Sequence, residues 1–166
     1  RNLEGQFAEV TSQAGYADSG FGQGIAVGDY NSDGFPDLFD ANIGRNRLYR
    51  NNGDGTFSDV SDSVGLHGES WTTCGLLADI NGDGLTDLYE VTYCRGNKPY
   101  QQACRNSRGL ATCPPLDFEA DADHFWRGSD RGKFSDITTK WAGQTSAGRG
   151  LGIVAGLFDE RPGLGH

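Results

Sequence analysis

Two stretches of this chain concentrate oxygen-bearing side chains at one fixed spacing. The first is Asp29-Tyr30-Asn31-Ser32-Asp33-Gly34-Phe35-Pro36-Asp37, and fifty residues on comes Asp79-Ile80-Asn81-Gly82-Asp83-Gly84-Leu85-Thr86-Asp87. Both read D-x-N-x-D-G-x-x-D. Asp29, Asn31, Asp33 and Asp37, and likewise Asp79, Asn81, Asp83 and Asp87, are candidate ligands of a hard cation. Ca²⁺ takes about six to eight oxygens at roughly 2.3–2.6 Å. In a tightly curled loop alternate side chains point inward, and Gly at position six allows the reversal. Phe35 and Leu85, at position seven, would offer backbone carbonyls, so their side chains are free to be apolar. The expected cofactor is Ca²⁺, at two sites. Asn, Asp and Gly also crowd into plain turns, but a turn does not need three carboxylates whose mutual repulsion is unfavourable without a cation.

The flanks say what holds these loops. An EF-hand shares the first six positions, but its last carboxylate comes at position twelve and helices surround it. Here the runs are apolar and β-prone: Gly24-Ile25-Ala26-Val27 before the first loop, Leu38-Phe39 after it. The expectation is a metal loop at the tip of a β-hairpin, with the run before it an inner strand buried on both faces.

The surroundings repeat as well. Phe7-Ala8-Glu9-Val10 returns as Phe57-Ser58-Asp59-Val60 and as Phe134-Ser135-Asp136-Ile137, each followed by a small-residue segment. A short strand follows each acidic loop (Asp37–Asp40, Asp87–Glu90), and a third follows at Asn46–Arg50 or Asp123–Arg127. A Gly-rich turn then closes onto the next F-x-[DE]-[VI] strand. One unit is four short strands without helical periodicity. The units run over about 6–55, 56–132 and 133–166, the last incomplete.

Composition bounds the partners. The chain has 166 residues and a net charge of −9, which argues against nucleic acid or an anionic membrane. No apolar run reaches the length of a membrane span, and the expectation is that no basic-then-apolar leader stands before Arg1. Without an initiator Met the chain is expected to be a processed protein or a piece of a longer one. Four cysteines in an acidic, Gly-rich chain fit an oxidising compartment, so a secreted or cell-surface location is expected.

F-x-D-V, the apolar run into D-x-N-x-D-G-x-x-D-L, and Arg47-Leu48-Tyr49-Arg50-Asn51-Asn52-Gly53-Asp54-Gly55-Thr56-Phe57 together resemble the FG-GAP/VCBS repeat. The spelling is closest to the ASPIC/UnbV and cartilage-acidic-protein branch. The resemblance implies an all-β fold of four-stranded β-propeller blades, of the kind found in integrin α-subunits, stabilised by Ca²⁺ and displayed outside the cell. Its calcium ligands map onto Asp29, Asn31, Asp33 and Asp37 and onto Asp79, Asn81, Asp83 and Asp87. Two units and part of a third do not close a ring of at least about four blades. The chain is expected to be part of a larger propeller, or to share a ring or stack with other chains through open sheet edges.

Two departures stand out. The third loop, Leu157-Phe158-Asp159-Glu160-Arg161-Pro162-Gly163, has Leu and Arg where the first and third carboxylates belong, so no metal is expected there. The second unit also carries an insertion at 91–122 with Cys94, Cys104 and Cys113, the basic residues Arg95, Lys98, Arg105 and Arg108, and Pro114-Pro115. It is either a recognition loop or a covering flap. Three disulfide connectivities are open. Near-mirror distances about the second loop favour Cys74 with Cys94, leaving Cys104 with Cys113; the competitor pairs Cys94 with a later cysteine. Zinc held by three cysteines and His124 lacks the close C-x₂₋₄-C spacing.

His67, His124 and His166 fall in no constellation with Ser or Cys, and no G-x-S-x-G, P-loop or H-E-x-x-H occurs. The expectation is a binding or adhesion module for a protein or glycan, without catalysis. The alternatives are a structural subunit of a ring or filament, or the non-catalytic propeller part of a secreted enzyme.

Overall fold

The computed structural model describes residues 1–96, 101–141 and 146–156. Among the described residues it is all-β apart from short helical turns. A hairpin of β1 (Asn2–Leu3) and β2 (Gln6–Phe7) precedes the main sheet. Then come β3 (Phe21–Gly28), β4 (Asp37–Gly44), β5 (Arg47–Asn51), β6 (Phe57–Asp59) and the turn α1 (Ser61–Val64). β7 (Ser70–Ala78) and β8 (Asp87–Cys94) follow, and then a small hairpin of β9 (Cys104–Asn106) and β10 (Gly109–Ala111). After a 3₁₀ turn at Pro115–Asp117 come β11 (His124–Arg127), β12 (Ser135–Asp136) and α2 (Thr138–Trp141).

The main sheet is open, antiparallel and eight-stranded. Its pairing falls into two meanders of the same order: β3-β4-β5-β6 and β7-β8-β11-β12. They join where β4 outruns β5 and Ile43 pairs with Trp71. The two meanders agree in single hydrogen bonds. The Leu48 N–H donates to Ser61 Oγ and the Phe125 N–H to Thr138 Oγ1, both at 2.9 Å. Val60 N–H donates to the Leu48 carbonyl as Ile137 N–H does to Phe125, again at 2.9 Å.

The core lies where β3 and β7 stack. Phe39, Leu48 and Leu88 are fully buried there, with Ala26, Leu77 and Trp126 around them. A Cβ at Gly75 would come within 2.6 Å of the Phe39 ring, so only Gly lets β7 lie this close. β3 turns its small face, Gly24, Ala26 and Gly28, toward β7 and leaves Phe21, Ile25 and Val27 exposed. The expectation of burial on both faces therefore fails for β3, which packs on one side only.

Three further readings change. The F-x-[DE]-[VI] strand completes the meander before it: β6 pairs with β5, and β12 with β11. The first copy does otherwise: Phe7 pairs with Asn2 in the short β1–β2 hairpin, apart from the main sheet, and is exposed. The small-residue segments after the other two copies begin as helical turns, because Asp59 Oδ1 accepts the Ser61 N–H at 3.0 Å and Asp136 Oδ1 the Thr138 N–H at 2.9 Å. β8 continues through Cys94, so the excursion begins at Arg95 rather than at Val91.

Cys104 and Cys113 form a disulfide that closes the β9–β10 hairpin. Cys74 and Cys94 are free thiols, against the expected pairing. Two irregularities in the β7–β8 register set Cys74 opposite Val91 and Cys94 opposite Trp71, so the sulfurs are not cross-strand neighbours. The oxidised pair also removes two sulfurs from the three-cysteine zinc alternative. The insertion's basic residues do not act as one patch: Arg95 pairs with Glu119 and Asp121 at 3.3 Å, and Lys98 lies outside the described residues. So do His166 and the third loop. Among the described residues no helix is long and apolar enough to cross a membrane.

Candidate metal centres

Each acidic loop joins the first two strands of its meander, β3 to β4 and β7 to β8. Backbone N–H groups curl it onto its own side chains. Asp29 accepts from Asp33 N–H at 3.1 Å and Gly34 N–H at 2.8 Å, while Asn31 Oδ1 accepts from the same Asp33 N–H at 3.1 Å. The second loop repeats this: Asp79 accepts from Gly82, Asp83 and Gly84 at 2.7, 3.1 and 2.9 Å, and Asn81 Oδ1 from Asp83 at 2.8 Å. Asp33 Oδ1 and Asp83 Oδ1 accept from the N–H groups of Phe35 and Leu85 at 2.9 and 3.0 Å. Gly34 and Gly84 sit at φ 88° and 86°, where a side chain would be strained.

The ninth residue of each loop differs from the rest. Asp37 and Asp87 are fully buried. Asp37 Oδ2 accepts Tyr30 N–H at 3.0 Å and its Oδ1 accepts Asn51 N–H at 2.7 Å, tying the loop's start to the end of β5. Asp87 does the same with Ile80 N–H at 3.2 Å and Gly128 N–H at 2.9 Å, and also accepts from Asn81 Nδ2 at 3.0 Å. Burial pushes the Asp37 carboxyl up. The Asn51 and Tyr30 N–H groups oppose that, and the Asp33 and Asp29 charges add to it. Sequence spacing marked these two residues as ligands; their second task, pinning three segments of backbone, is visible only in the fold.

Residues 29–90 match the FG-GAP-like repeat. The match runs from the first residue of the first acidic loop to Glu90 in β8, so this repeat contains both loops and the whole of β5, β6 and β7. Compared with curated proteins, the chain has no match.

The donor set of each FG-GAP-like loop fits a hard cation: all candidate ligands are oxygens, and a carboxylate oxygen that accepts one N–H keeps a second lone pair. Among the described residues, the trio of Cys, His, Asp or Glu ligand atoms lying within 4.8 Å of one another is Cys104, Cys113 and Asp117. Its sulfurs are joined to each other and offer no thiolate. The three carboxylates of each acidic loop stand wider apart than that, drawn to the loop's N–H groups.

Proposed function

We propose that the chain is a Ca²⁺-stabilised binding or adhesion module of β-propeller-type blades, acting outside the cell on a protein or glycan and without catalysis of its own. One observation carries the reading. The same oxygen-rich loop, closed by the same buried carboxylate, stands at the same end of two meanders of identical pairing order. The meander order supports blades, and the Cys104–Cys113 disulfide supports an oxidising compartment. Asp29, Asn31, Asp33, Asp37 and the Phe35 carbonyl would hold one ion. Asp79, Asn81, Asp83, Asp87 and the Leu85 carbonyl would hold the other. Bound only by the folded state, Ca²⁺ raises the melting temperature by mass action. Protein and glycan screens in millimolar calcium and in chelator test the binding role: calcium-dependent hits support it, and silence in both conditions contradicts it.

A structural role in a ring or filament is favoured by one further observation. β3 presents Ile25 and Val27, 54% and 60% exposed, on the face turned away from β7. That face would be covered by a neighbouring blade. Light scattering decides between the readings: a concentration-dependent oligomer supports assembly, and a monomer at all concentrations excludes it.

A further inference from the structure

The excursion between β8 and β11 is fastened at its base and free at its tip. Arg95 N–H donates to the Glu119 carbonyl at 2.8 Å, and the Arg149 guanidinium donates to the Phe118 carbonyl at 2.7 Å. Phe118 itself is buried. Further out, among the described residues, β9 and β10 pair with each other and with no other strand. Leu110 in β10 and Leu116 in the 3₁₀ turn are 72% and 81% exposed. A flap that only covered the sheet would turn these leucines inward.

Between this hairpin and β7 runs a groove of about 470 Å³, lined by Trp71, Leu110, Ala111, Cys113 and Phe118 among others, none of them charged. Ligand pockets span about 300–1,000 Å³. Trp71 is held in place: its ring centroid lies 5.0 Å from that of Tyr93, and its Nε1–H donates to Gln23 Oε1 at 3.3 Å. Positive charge stands at the rim. Arg105 lies directly opposite Leu110 in the β9–β10 register, so the two side chains share a face. Arg108 follows in the turn, and both arginines are exposed. Arg95 is engaged with Glu119 and Asp121, whereas among the described residues neither Arg105 nor Arg108 has an ion-pair partner. The Asp117 carboxylate, within 4.8 Å of the disulfide sulfurs, is outnumbered by these two guanidiniums.

An apolar groove with a cationic rim selects its occupant. The chain as a whole carries −9, so an acidic partner is repelled elsewhere and attracted at this hairpin. A sulfated glycan would engage the guanidiniums and leave the groove empty. A neutral apolar segment would fill the groove and leave the guanidiniums unused. A segment with an apolar side chain between carboxylates uses both, and the guanidinium fork matches a carboxylate. We propose that this groove binds an extended acidic peptide segment of a partner protein, its apolar side chain against Trp71 and Leu110 and its carboxylates on Arg105 and Arg108. The Cys104–Cys113 disulfide holds the hairpin beforehand and lowers the cost of ordering it. The proposal rests on the reading of the chain as a binding module and narrows its partner to an acidic protein segment.

The test is fluorescence anisotropy of the full chain, in millimolar calcium, with labelled short peptides in which Leu, Phe or Trp stands between runs of Asp and Glu. One control set replaces the acids with Asn and Gln, another replaces the central residue with Ser, and a heparin oligosaccharide is the glycan arm. Saturable binding of at least one acidic peptide, weaker in both control sets, supports the proposal. Arg105→Glu combined with Arg108→Glu then weakens it about tenfold or more, and Leu110→Ser and reduction of the disulfide weaken it too. All three positions are exposed, so melting temperatures equal to wild type confirm that the variants fold. No binding of any acidic peptide overturns the proposal, as does undiminished binding by the folded double-arginine variant, or heparin binding without peptide binding. A peptide-silent chain that still binds a glycan in a calcium-dependent way would sink this groove proposal alone.

Discussion

The Thr86 hydroxyl donates to the backbone carbonyl of Asp29 at 2.7 Å. Position eight of the second acidic loop thereby reaches position one of the first, and the two loops stand as one block. Pro36 occupies position eight of the first loop and has no such donor. Thr86→Val keeps the shape and removes the bond. Urea unfolding should show a loss of about 1 kcal/mol, and calcium protection at the first loop should weaken more than at the second. Wild-type stability in the variant would mean that the loops stand independently.

Asp37 is a pin as well as a candidate ligand. Asp37→Ala leaves the N–H groups of Tyr30 and Asn51 unpaired in the interior, which costs about 2–4 kcal/mol even in chelator. Asp33→Ala, at an exposed position, should lose about 1 kcal/mol or less in chelator and forfeit the calcium gain at its site. Denaturant curves of both variants in EDTA check the contrast. Equal losses would place the two carboxylates in the same role.

Asp40 gives the fold a pH dependence. Burial pushes its carboxyl from 3.8 up to about 6; the Tyr16 hydroxyl bonded to it pulls the other way, and Asp18 adds to the rise. A raised carboxyl favours the folded state below the unfolded pKa and loses that contribution as pH climbs through about 6. Asp40→Asn still accepts from Tyr16 but does not ionise. The melting temperature of the variant should gain on wild type between about pH 4 and pH 7. A constant difference across that window contradicts the assignment.

The four cysteines should separate into three classes. Cys74 is half-buried and free, Cys94 is fully buried and free, and Cys104 and Cys113 are paired. Burial pushes the Cys94 thiol up, with Arg149 pulling the other way. A thiol reagent on the native chain should label Cys74 first and Cys94 only on unfolding. Reduction should release two more thiols and cost the β9–β10 hairpin about 2.5 kcal/mol by chain entropy, without melting the main sheet. Peptide mapping that finds Cys74 joined to Cys94 would contradict the β7–β8 register.

Much of this was legible in the residues. The spacing of Asp29 to Asp37 and of Asp79 to Asp87 located the hairpin tips, whereas the run before the first tip reads as buried on both faces although Ile25 and Val27 are exposed. What stayed hidden depends on register. Cys74 and Cys94 read as mirror-related about the second loop until two irregularities shifted the strand between them. Phe7 carries the same strand motif yet pairs with Asn2 in a hairpin apart from the main sheet. His124 read as a surface residue, yet the pairing of β11 with β8 sets it opposite Glu90. In D-L-F-D and D-L-Y-E the fourth acid recurs, and that was the signal for Asp40 and Glu90. The metal pattern before it drew the carboxylates into a single explanation, although these two face segments outside the loops.

Calorimetric titration of the chelator-stripped chain with calcium tests the central claim most directly. The account predicts two ions per chain, with dissociation constants on the order of 10⁻⁴–10⁻³ M, falling to one ion in Asp33→Ala and one in Asp83→Ala. A chain that takes up no calcium, or takes it up equally well with both carboxylates removed, would contradict it.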